Sequence, residues 1–187
     1  MAILKTQLYT YDDILLMNDD THCELIDGVI YNMAAPSNAH QDIAGEIFTQ
    51  LKNFLKGRNC KAFIAPFDVR LFADKNDEST VLQPDVLVIC NRAILDPKGQ
   101  GCKGAPDLVV EVLSPSTAYM DRHVKHNKYQ EAGVREYWII DPAHKLAEVH
   151  IFENNAKNFY QSTDKLPVHV LEGCEIDLHD VFADEGL

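Results

Sequence analysis

The segment that decides the fold is PDLVVEVLSP, residues 106–115. It is a short apolar run bounded by prolines, which is typical of a strand covered on both faces. Because side chains alternate along a strand, Val110 and Val112 face one side of the predicted sheet, and Glu111 and Leu113 face the other. An unpaired carboxylate inside such a strand is costly, so we expect Glu111 to meet a cation, a hydrogen-bond donor or a water-filled cleft.

A second apolar strand is predicted upstream, in the segment QPDVLVIC at residues 83–90. It opens with Pro84 and Asp85, and proline is tolerated at the first position of a strand. If the two strands pair, Asp85 and Glu111 form a carboxylate pair of the kind that holds Mg²⁺, which keeps several waters and the substrate phosphate as its other ligands. Such a pair suits metal-dependent hydrolysis of a phosphodiester, because the metal lowers the pKa of its bound water.

Composition indicates one domain over residues 1–187, long enough to bury a sizeable core. No apolar run is long enough to cross a bilayer, and the first residues lack the regions of a signal peptide, so we expect a cytoplasmic protein without membrane contact. The cysteines are odd in number, scattered and without a CxxC pair, which predicts reduced, mostly buried thiols and no zinc site. They are Cys23, Cys60, Cys90, Cys102 and Cys174.

The net charge of −12 argues against a general nucleic-acid binder, but its distribution weakens that argument. Residues 1–30 carry −5 and residues 172–187 carry −6, which leaves −1 for the chain between them. Within that middle part, the run RHVKHNK at residues 122–128 contains no acid. It is interpreted either as a solvated helix face or as a local surface for phosphate.

Hydrophobic spacing and turn residues predict an α/β or α+β fold, with a mixed central β-sheet flanked by helices. Asp27-Gly28 between two β-prone runs indicates a hairpin over residues 23–33. A helix should start at Ser37 or Asn38 and end at Gly57, and a second should run from about Asp121 to Ala132, with Gly133 just beyond it. The other predicted strands are residues 62–65, 68–72, 136–141, 146–152 and 159–162, with a short one at 168–171.

Longer runs resemble a known family. ELIDG at residues 24–28, QPD at 83–85, APDLVVEVLSPST at 105–117 and GVREYWIIDP at 133–142 are similar to the Uma-two type restriction endonucleases of the PD-(D/E)XK nuclease superfamily. The likeness covers nearly the whole chain. It implies a restriction-endonuclease-like fold and an endonuclease that hydrolyses DNA with Mg²⁺ or Mn²⁺.

One position departs from the general superfamily pattern. The lysine of the E-X-K element would fall at position 113, which is Leu113 here. The resemblance instead places a lysine at Lys125, which implies that the catalytic lysine has moved from the strand to a helix. Asp121, Lys125 and Tyr129 are spaced four residues apart and so share one face of the predicted helix. The alternative is that Lys125 is an exposed lysine on an amphipathic helix.

Other residues leave alternatives open. Glu24 precedes the tight hairpin, and the family pattern retains an acid there, so it is either a third acid or water ligand of the site or a surface acid on an edge strand. His40 lies near a helix start, where a capping or surface role competes with a functional one. Trp138 is expected in the core, and Asp107 at a turn or cap.

Two classes of function follow. The first is a metal-dependent endonuclease with Asp85, Glu111, Lys125 and Glu24 as site residues, Asp85 and Glu111 as metal ligands, and DNA as substrate. A homodimer would allow it to cut both strands. The second is a degenerate nuclease fold that binds nucleic acid or a protein, which Leu113 and the acidic termini favour.

Overall fold

The computed structural model describes residues 8–17 and 22–183. Its strands are β1 Cys23–Ile26, β2 Val29–Asn32, β3 Lys61–Ile64, β4 Val69–Arg70, β5 Val81–Leu82, β6 Val86–Ile89, β7 Cys102–Lys103, β8 Leu108–Val112, β9 Glu136–Asp141, β10 Leu146–Ile151, β11 Ala156–Gln161, β12 Lys165–Pro167 and β13 Glu175–Asp177. Its helices are α1 Tyr11–Leu15, α2 Asn38–Phe54, a π-helix Met120–Lys125, α3 His126–Ala132 and α4 Leu178–Val181. Single 3₁₀ turns occur at Ala73–Lys75, Arg92–Ile94 and Phe152–Asn154.

The central sheet has, within the described residues, the strand order β11-β10-β9-β8-β6-β3. Strands β8 and β9 are parallel, whereas β6 pairs antiparallel with β8 and with β3. All of β8 is buried, including Glu111, as its otherwise apolar sequence predicts for a strand covered on both faces. The sheet is therefore mixed, and the predicted architecture is confirmed.

The two faces of this sheet bury different layers. Val110, Val112 and Trp138 lie on the face covered by α2 and the segment that ends in α4. Val109 lies on the opposite face, together with Tyr129 of α3 and apolar residues of a second sheet. Glu111 follows Val109 by two residues, so its side chain enters the layer between the central sheet and these elements.

The second sheet has the order β2-β1-β5-β4-β7 within the described ranges. Its first hairpin turns at Asp27 and Gly28, which have φ of 50° and 78°. Two consecutive residues with positive φ define a type I′ turn, which closes the predicted hairpin, and glycine accepts that conformation without steric cost. Since β1 is bordered by β2 and β5, Glu24 lies on an inner strand rather than at an edge.

The helix after β8 differs from its prediction. Met120–Lys125 form a π-helix, and the α-helix α3 follows it from His126. The prediction of an ordinary helix from Asp121 is wrong for these first turns, because a short apolar spacing does not separate a π-helix from an α-helix. Gly133 ends the helix with φ of 95°, as expected. π-Helical turns occur frequently at functional sites.

Two further expectations are corrected. Residues 168–171 form a turn, held by Val168 N donating to the Cys174 carbonyl and Leu171 N to that of Val168. The strand lies earlier, at β12, and pairs with β13. Val168 and Leu171 are apolar because the turn itself is buried against the core.

The cysteine expectation is wrong for one pair. Cys60 and Cys90 form a disulfide. The adjacent antiparallel pair Lys61↔Ile89 sets these two positions opposite each other, which the sequence separation alone does not reveal. Cys23, Cys102 and Cys174 are buried thiols in the described ranges, as predicted. Within those ranges, every helix is too short or too polar to cross a membrane.

Candidate functional site

Glu111 is the centre of the site. Its side chain is buried on β8, and its Oε1 accepts hydrogen bonds from Tyr129 OH at 2.7 Å and from Lys125 Nζ at 3.1 Å. The carboxyl group therefore has both the cation and the donor that its burial in an apolar strand requires. Both partners come from one helix, which packs on this face of the sheet.

Lys125 is buried as well, with 5% of its surface exposed, so its interpretation as a solvent-exposed lysine is wrong. In the described structure its ammonium lies 2.9 Å from Glu24, 3.1 Å from Glu111 and 3.3 Å from Asp121. Asp121 is one turn earlier on the π-helix, and its backbone carbonyl accepts a hydrogen bond from Tyr137 OH at 2.9 Å. The helix is thus fixed against β9 at the turn that carries the lysine.

Glu24 reaches the same ammonium from the second sheet. It is buried on β1, and its Oε1 also accepts a hydrogen bond from Gln83 N at 3.0 Å. The interpretation of Glu24 as a surface acid on an edge strand is therefore wrong. Gln83 in turn donates through its side chain to Asp68 at 2.7 Å, so the segment preceding β6 is tied to the second sheet at the site.

Asp85 lies directly before β6. The register Val86↔Val110 places Asp85 opposite Glu111, and the alternation of the strands turns both side chains to the same face. Asp85 Oδ2 accepts a hydrogen bond from Val112 N at 2.7 Å. Its side chain is 16% exposed, so it lies at the mouth of the layer in which Glu111 is buried.

His40 completes the mouth of the site, at the third residue of α2. Its backbone N donates to Ser37, the N-cap residue, at 3.2 Å, while its ring points to the sheet. Nε2 is 3.2 Å from Asp85 Oδ2, and the ring also meets the backbone of Val112. Its pKa is lowered by burial, but the contacts with Asp85 and Val112 raise it to a value above that of a free histidine.

Burial and the neighbouring charges shift the pKa values of Glu111 and Lys125. Burial raises the pKa of Glu111 well above its usual value; Lys125 opposes this shift, and the neighbouring acids add to it. Burial lowers the pKa of Lys125, but Glu111, Glu24 and Asp121 outweigh it and raise the pKa well above the usual lysine value. Lys125 therefore keeps its proton, and burial biases Glu111 towards its neutral form.

The sequence thus predicted four residues that meet at this site, namely Asp85, Glu111, Lys125 and Glu24. It did not assign Asp121, Tyr129 or His40 to the site. Asp121 and Tyr129 carried a usable signal, since both are spaced four residues from Lys125. His40 carried none, because its approach to Asp85 depends on how α2 packs across the sheet.

Two sets of groups bear on what the site can bind. Among residues 8–17 and 22–183, no three His, Cys, Asp or Glu side chains are arranged as a ready-made metal cage. Asp85 and Glu111 remain the carboxyl pair that could hold a cation together with waters.

In the run 122–128, Arg122 is paired with Glu148 at 2.5 Å and Asp141 at 3.1 Å, and Lys128 with Asp27 at 2.6 Å.

The fold of the chain matches that of a solved structure. The crystal structure of a putative nuclease belonging to DUF820 from Anabaena variabilis ATCC 29413 superimposes with a TM-score of 0.73 at 21% identity, over 93% of this chain and 97% of that one. The expected restriction-endonuclease-like fold is thereby confirmed.

The chain belongs to the Uma2 family, described as "Putative restriction endonuclease", whose model matches residues 8–179. Two relatives come from Synechocystis sp. (strain ATCC 27184 / PCC 6803 / Kazusa). The uncharacterized protein slr1290 is 29% identical over 76% of this chain and 74% of its own length. The uncharacterized protein sll1609 is 26% identical over 75% of this chain and 79% of its own length. The family description points to a nuclease, and the structural neighbour shows the same fold.

Proposed function

We propose that the protein is an endonuclease that hydrolyses phosphodiester bonds of DNA with Mg²⁺ or Mn²⁺. The observation that carries this proposal is the position of Lys125. Its ammonium lies 3.1 Å from Glu111 and 2.9 Å from Glu24, although it comes from a helix rather than from β8. An Asp–Glu–Lys constellation is thereby assembled in a chain that has Leu113 where the strand lysine is expected.

Asp85 and Glu111 would hold the metal. Their fit rests on geometry: both side chains point to one face from opposed positions of two paired strands. Mg²⁺ is held in proteins by one or two carboxylates and keeps several waters, so no larger cage is needed. When bound, the metal supplies a water of lowered pKa and neutralises charge on the phosphate.

Lys125 and Glu24 would act on the attacking water and on charge that forms in the transition state. A preorganised ammonium stabilises developing negative charge without reorganisation, provided that it is fixed in place. Lys125 meets this condition, because Asp121 at 3.3 Å and Glu24 at 2.9 Å hold it from two sides. Glu24 would orient the lysine and accept a hydrogen bond from the water.

DNA would approach at the mouth, where Asp85 and His40 are partly exposed. The pairing of Arg122 and Lys128 with acids leaves little free positive charge in the run 122–128. That observation favours the second candidate function, a degenerate nuclease fold that binds a protein. Homodimerisation, which would bring two sites to the two strands, is part of the endonuclease proposal.

The test is a cleavage assay on single- and double-stranded DNA and RNA with Mg²⁺, Mn²⁺ or EDTA. We expect metal-dependent cutting of DNA, and a loss on the order of 100-fold or more in rate for Lys125→Met. Lys128→Met is the matched control, because Lys128 lies on the same helix but contacts Asp27 outside the site. Equal activity of both variants would remove Lys125 from the mechanism. Absence of cleavage for every substrate and metal would support the binding function.

A further inference from the structure

The side chain of Gln83 connects the site to the first helix of the described structure. Its Nε2 donates a hydrogen bond to Asp68 Oδ1 at 2.7 Å, and the other oxygen of that carboxylate accepts one from Tyr11 OH, also at 2.7 Å. Tyr11 is the first residue of α1 and is 2% exposed. One carboxylate therefore joins α1, the segment before β4 and the segment before β6.

This carboxylate is itself held in place. The backbone carbonyl of Asp68 accepts a hydrogen bond from Cys102 N at 2.8 Å, which ties the residue to β7. The guanidinium of Arg70 lies over the ring of Tyr11, 4.6 Å from its centre, and so holds the ring from a second side. Because a carboxylate only accepts hydrogen bonds, Asp68 determines that the amide of Gln83 turns its NH₂ group towards it.

The backbone of Gln83 acts on Glu24. Its N–H donates to Glu24 Oε1 at 3.0 Å, and the ammonium of Lys125 lies 2.9 Å from the same oxygen. Since both contacts end on Oε1, Oε2 is the oxygen that can accept a hydrogen bond from a water. The orientation of the Glu24 carboxylate is therefore set by the Gln83 N–H and Lys125 together.

The same short segment carries Asp85. Pro84 lies between the two residues and is buried, and its ring fixes the backbone φ at about −65°. The carboxylate of Asp85 is tied in turn to Val112 N at 2.7 Å. A displacement of Gln83 would therefore disturb two acids of the site at once, Glu24 through the backbone N–H and Asp85 through the chain.

We propose that Gln83 is a positioning residue of the site, and that Asp68 and Tyr11 form the clamp that holds it. This inference rests on the proposed function, since it concerns the water that Glu24 would orient. The contribution is made to the geometry of the transition state, so loss of the clamp should lower turnover more than substrate binding. A displacement of about 1 Å can cost on the order of 100-fold in rate.

The first experiment measures kcat and KM for cleavage of DNA by the full-length protein with Mg²⁺. Gln83→Met keeps the length of the side chain and removes its donor. We expect kcat to fall by about 10- to 100-fold, as for other residues that orient an active-site group, with KM changed by no more than about threefold. Tyr11→Phe removes only one hydroxyl group and should lower kcat by a smaller factor, so it serves if Gln83→Met does not fold.

Gln50→Met is the matched control. Gln50 also joins two elements through its side chain, because its Oε1 accepts a hydrogen bond from Asp177 N at 2.8 Å, but it lies on α2 away from the site. Its loss should lower the melting temperature and leave kcat at the wild-type value. A role of Gln83 in folding alone would give the same result as this control.

The second experiment reverses the hydrogen bond between Gln83 and Asp68. Gln83→Glu sets two carboxylates against each other and should lower kcat at least as much as Gln83→Met. Adding Asp68→Asn restores a donor and an acceptor, because the asparagine amide can donate to the new carboxylate while its oxygen accepts from Tyr11. The double variant should recover kcat to within about threefold of the wild type.

The outcomes separate this inference from the proposed function. If the wild type cleaves DNA, and Gln83→Met and Tyr11→Phe cleave it equally fast, the clamp has no role and the proposed function stands. If Gln50→Met loses as much kcat as Gln83→Met, or if Asp68→Asn does not rescue Gln83→Glu, the positioning role is overturned. If the wild type cleaves no nucleic acid, the proposed function and the role of Gln83 both fall.

Discussion

Replacing Lys125 by methionine tests the electrostatic account of the site most directly. The variant keeps most of the aliphatic stem and removes the one ammonium that contacts Glu24, Glu111 and Asp121 in the described structure. All three carboxyl groups are buried. Removing one partner of a buried ion pair costs about 3–5 kcal/mol, because the remaining charge is left unpaired in a medium of low dielectric constant. For a domain of this length, that corresponds to a fall in melting temperature of roughly 6–20 °C.

The stability that Lys125→Met loses should depend on pH, and the pKa of Glu111 determines whether the loss grows or shrinks as pH rises. Its pKa in the folded protein is raised by burial above the ordinary value of 4.5. A carboxyl group with a raised pKa favours the folded state most below its unfolded pKa and loses that contribution as pH rises towards its folded pKa. Without Lys125 that pKa rises further. The difference in free energy of unfolding between the wild type and Lys125→Met should therefore grow with pH, by up to about 1.4 kcal/mol per pH unit for one proton.

The assay is denaturant unfolding of the wild type and Lys125→Met at pH 5.5 and pH 8, with and without Mg²⁺. Lys128→Met is the control, since its partner Asp27 is 65% exposed and such a pair contributes about 0–1 kcal/mol. A Lys125→Met protein as stable as the wild type at pH 8, with no dependence on pH, would refute the account. A larger deficit at pH 5.5 than at pH 8 would refute its sign.

Three further outcomes are expected. Without metal, Glu111→Gln should melt at the wild-type temperature or above, because it removes a buried acid from among other acids; a clearly lower melting temperature in a thermal scan would contradict this. Reducing the Cys60–Cys90 disulfide, which closes a separation of 30 residues, should lower the free energy of unfolding by about 2–4 kcal/mol, and Cys60→Ser should abolish the response to reductant. DNA binding should weaken steeply between low and physiological salt in a fluorescence titration; binding that ignores salt would point to a protein partner instead.

The sequence was sufficient for the parts of the fold that depend on local pattern. A short apolar run around Glu111 predicted β8, and Asp27-Gly28 predicted the hairpin turn, because each signal is contained within a few residues. The π-helix and the Cys60–Cys90 disulfide could not be predicted in this way. The former depends on how a helix docks against β9, and the latter on the register between two strands.

The same distinction applies to the site. Asp85 and Glu111 could be paired from sequence because strand alternation and one antiparallel pairing determine their faces. His40 could not be added to them, since it lies 45 positions before Asp85 and meets it only through the packing of α2 across the sheet. Glu24 was found through family resemblance rather than pattern, because it belongs to a different sheet.

The presence of Leu113 in place of the strand lysine is linked to the position of Lys125 on the helix. Leu113 follows Glu111 by two residues and so points to the same face, where it packs in one apolar cluster with Met120 and Val124 of the π-helix. A lysine at position 113 would put a charge into this contact and hinder docking of the helix, because burying an unpaired ammonium among apolar side chains is unfavourable. With leucine there the helix can dock, and docking brings the ammonium of Lys125 to 3.1 Å from Glu111. The apolar residue on the strand and the lysine on the helix are therefore two parts of one arrangement, in which the cation reaches the acids from the opposite layer.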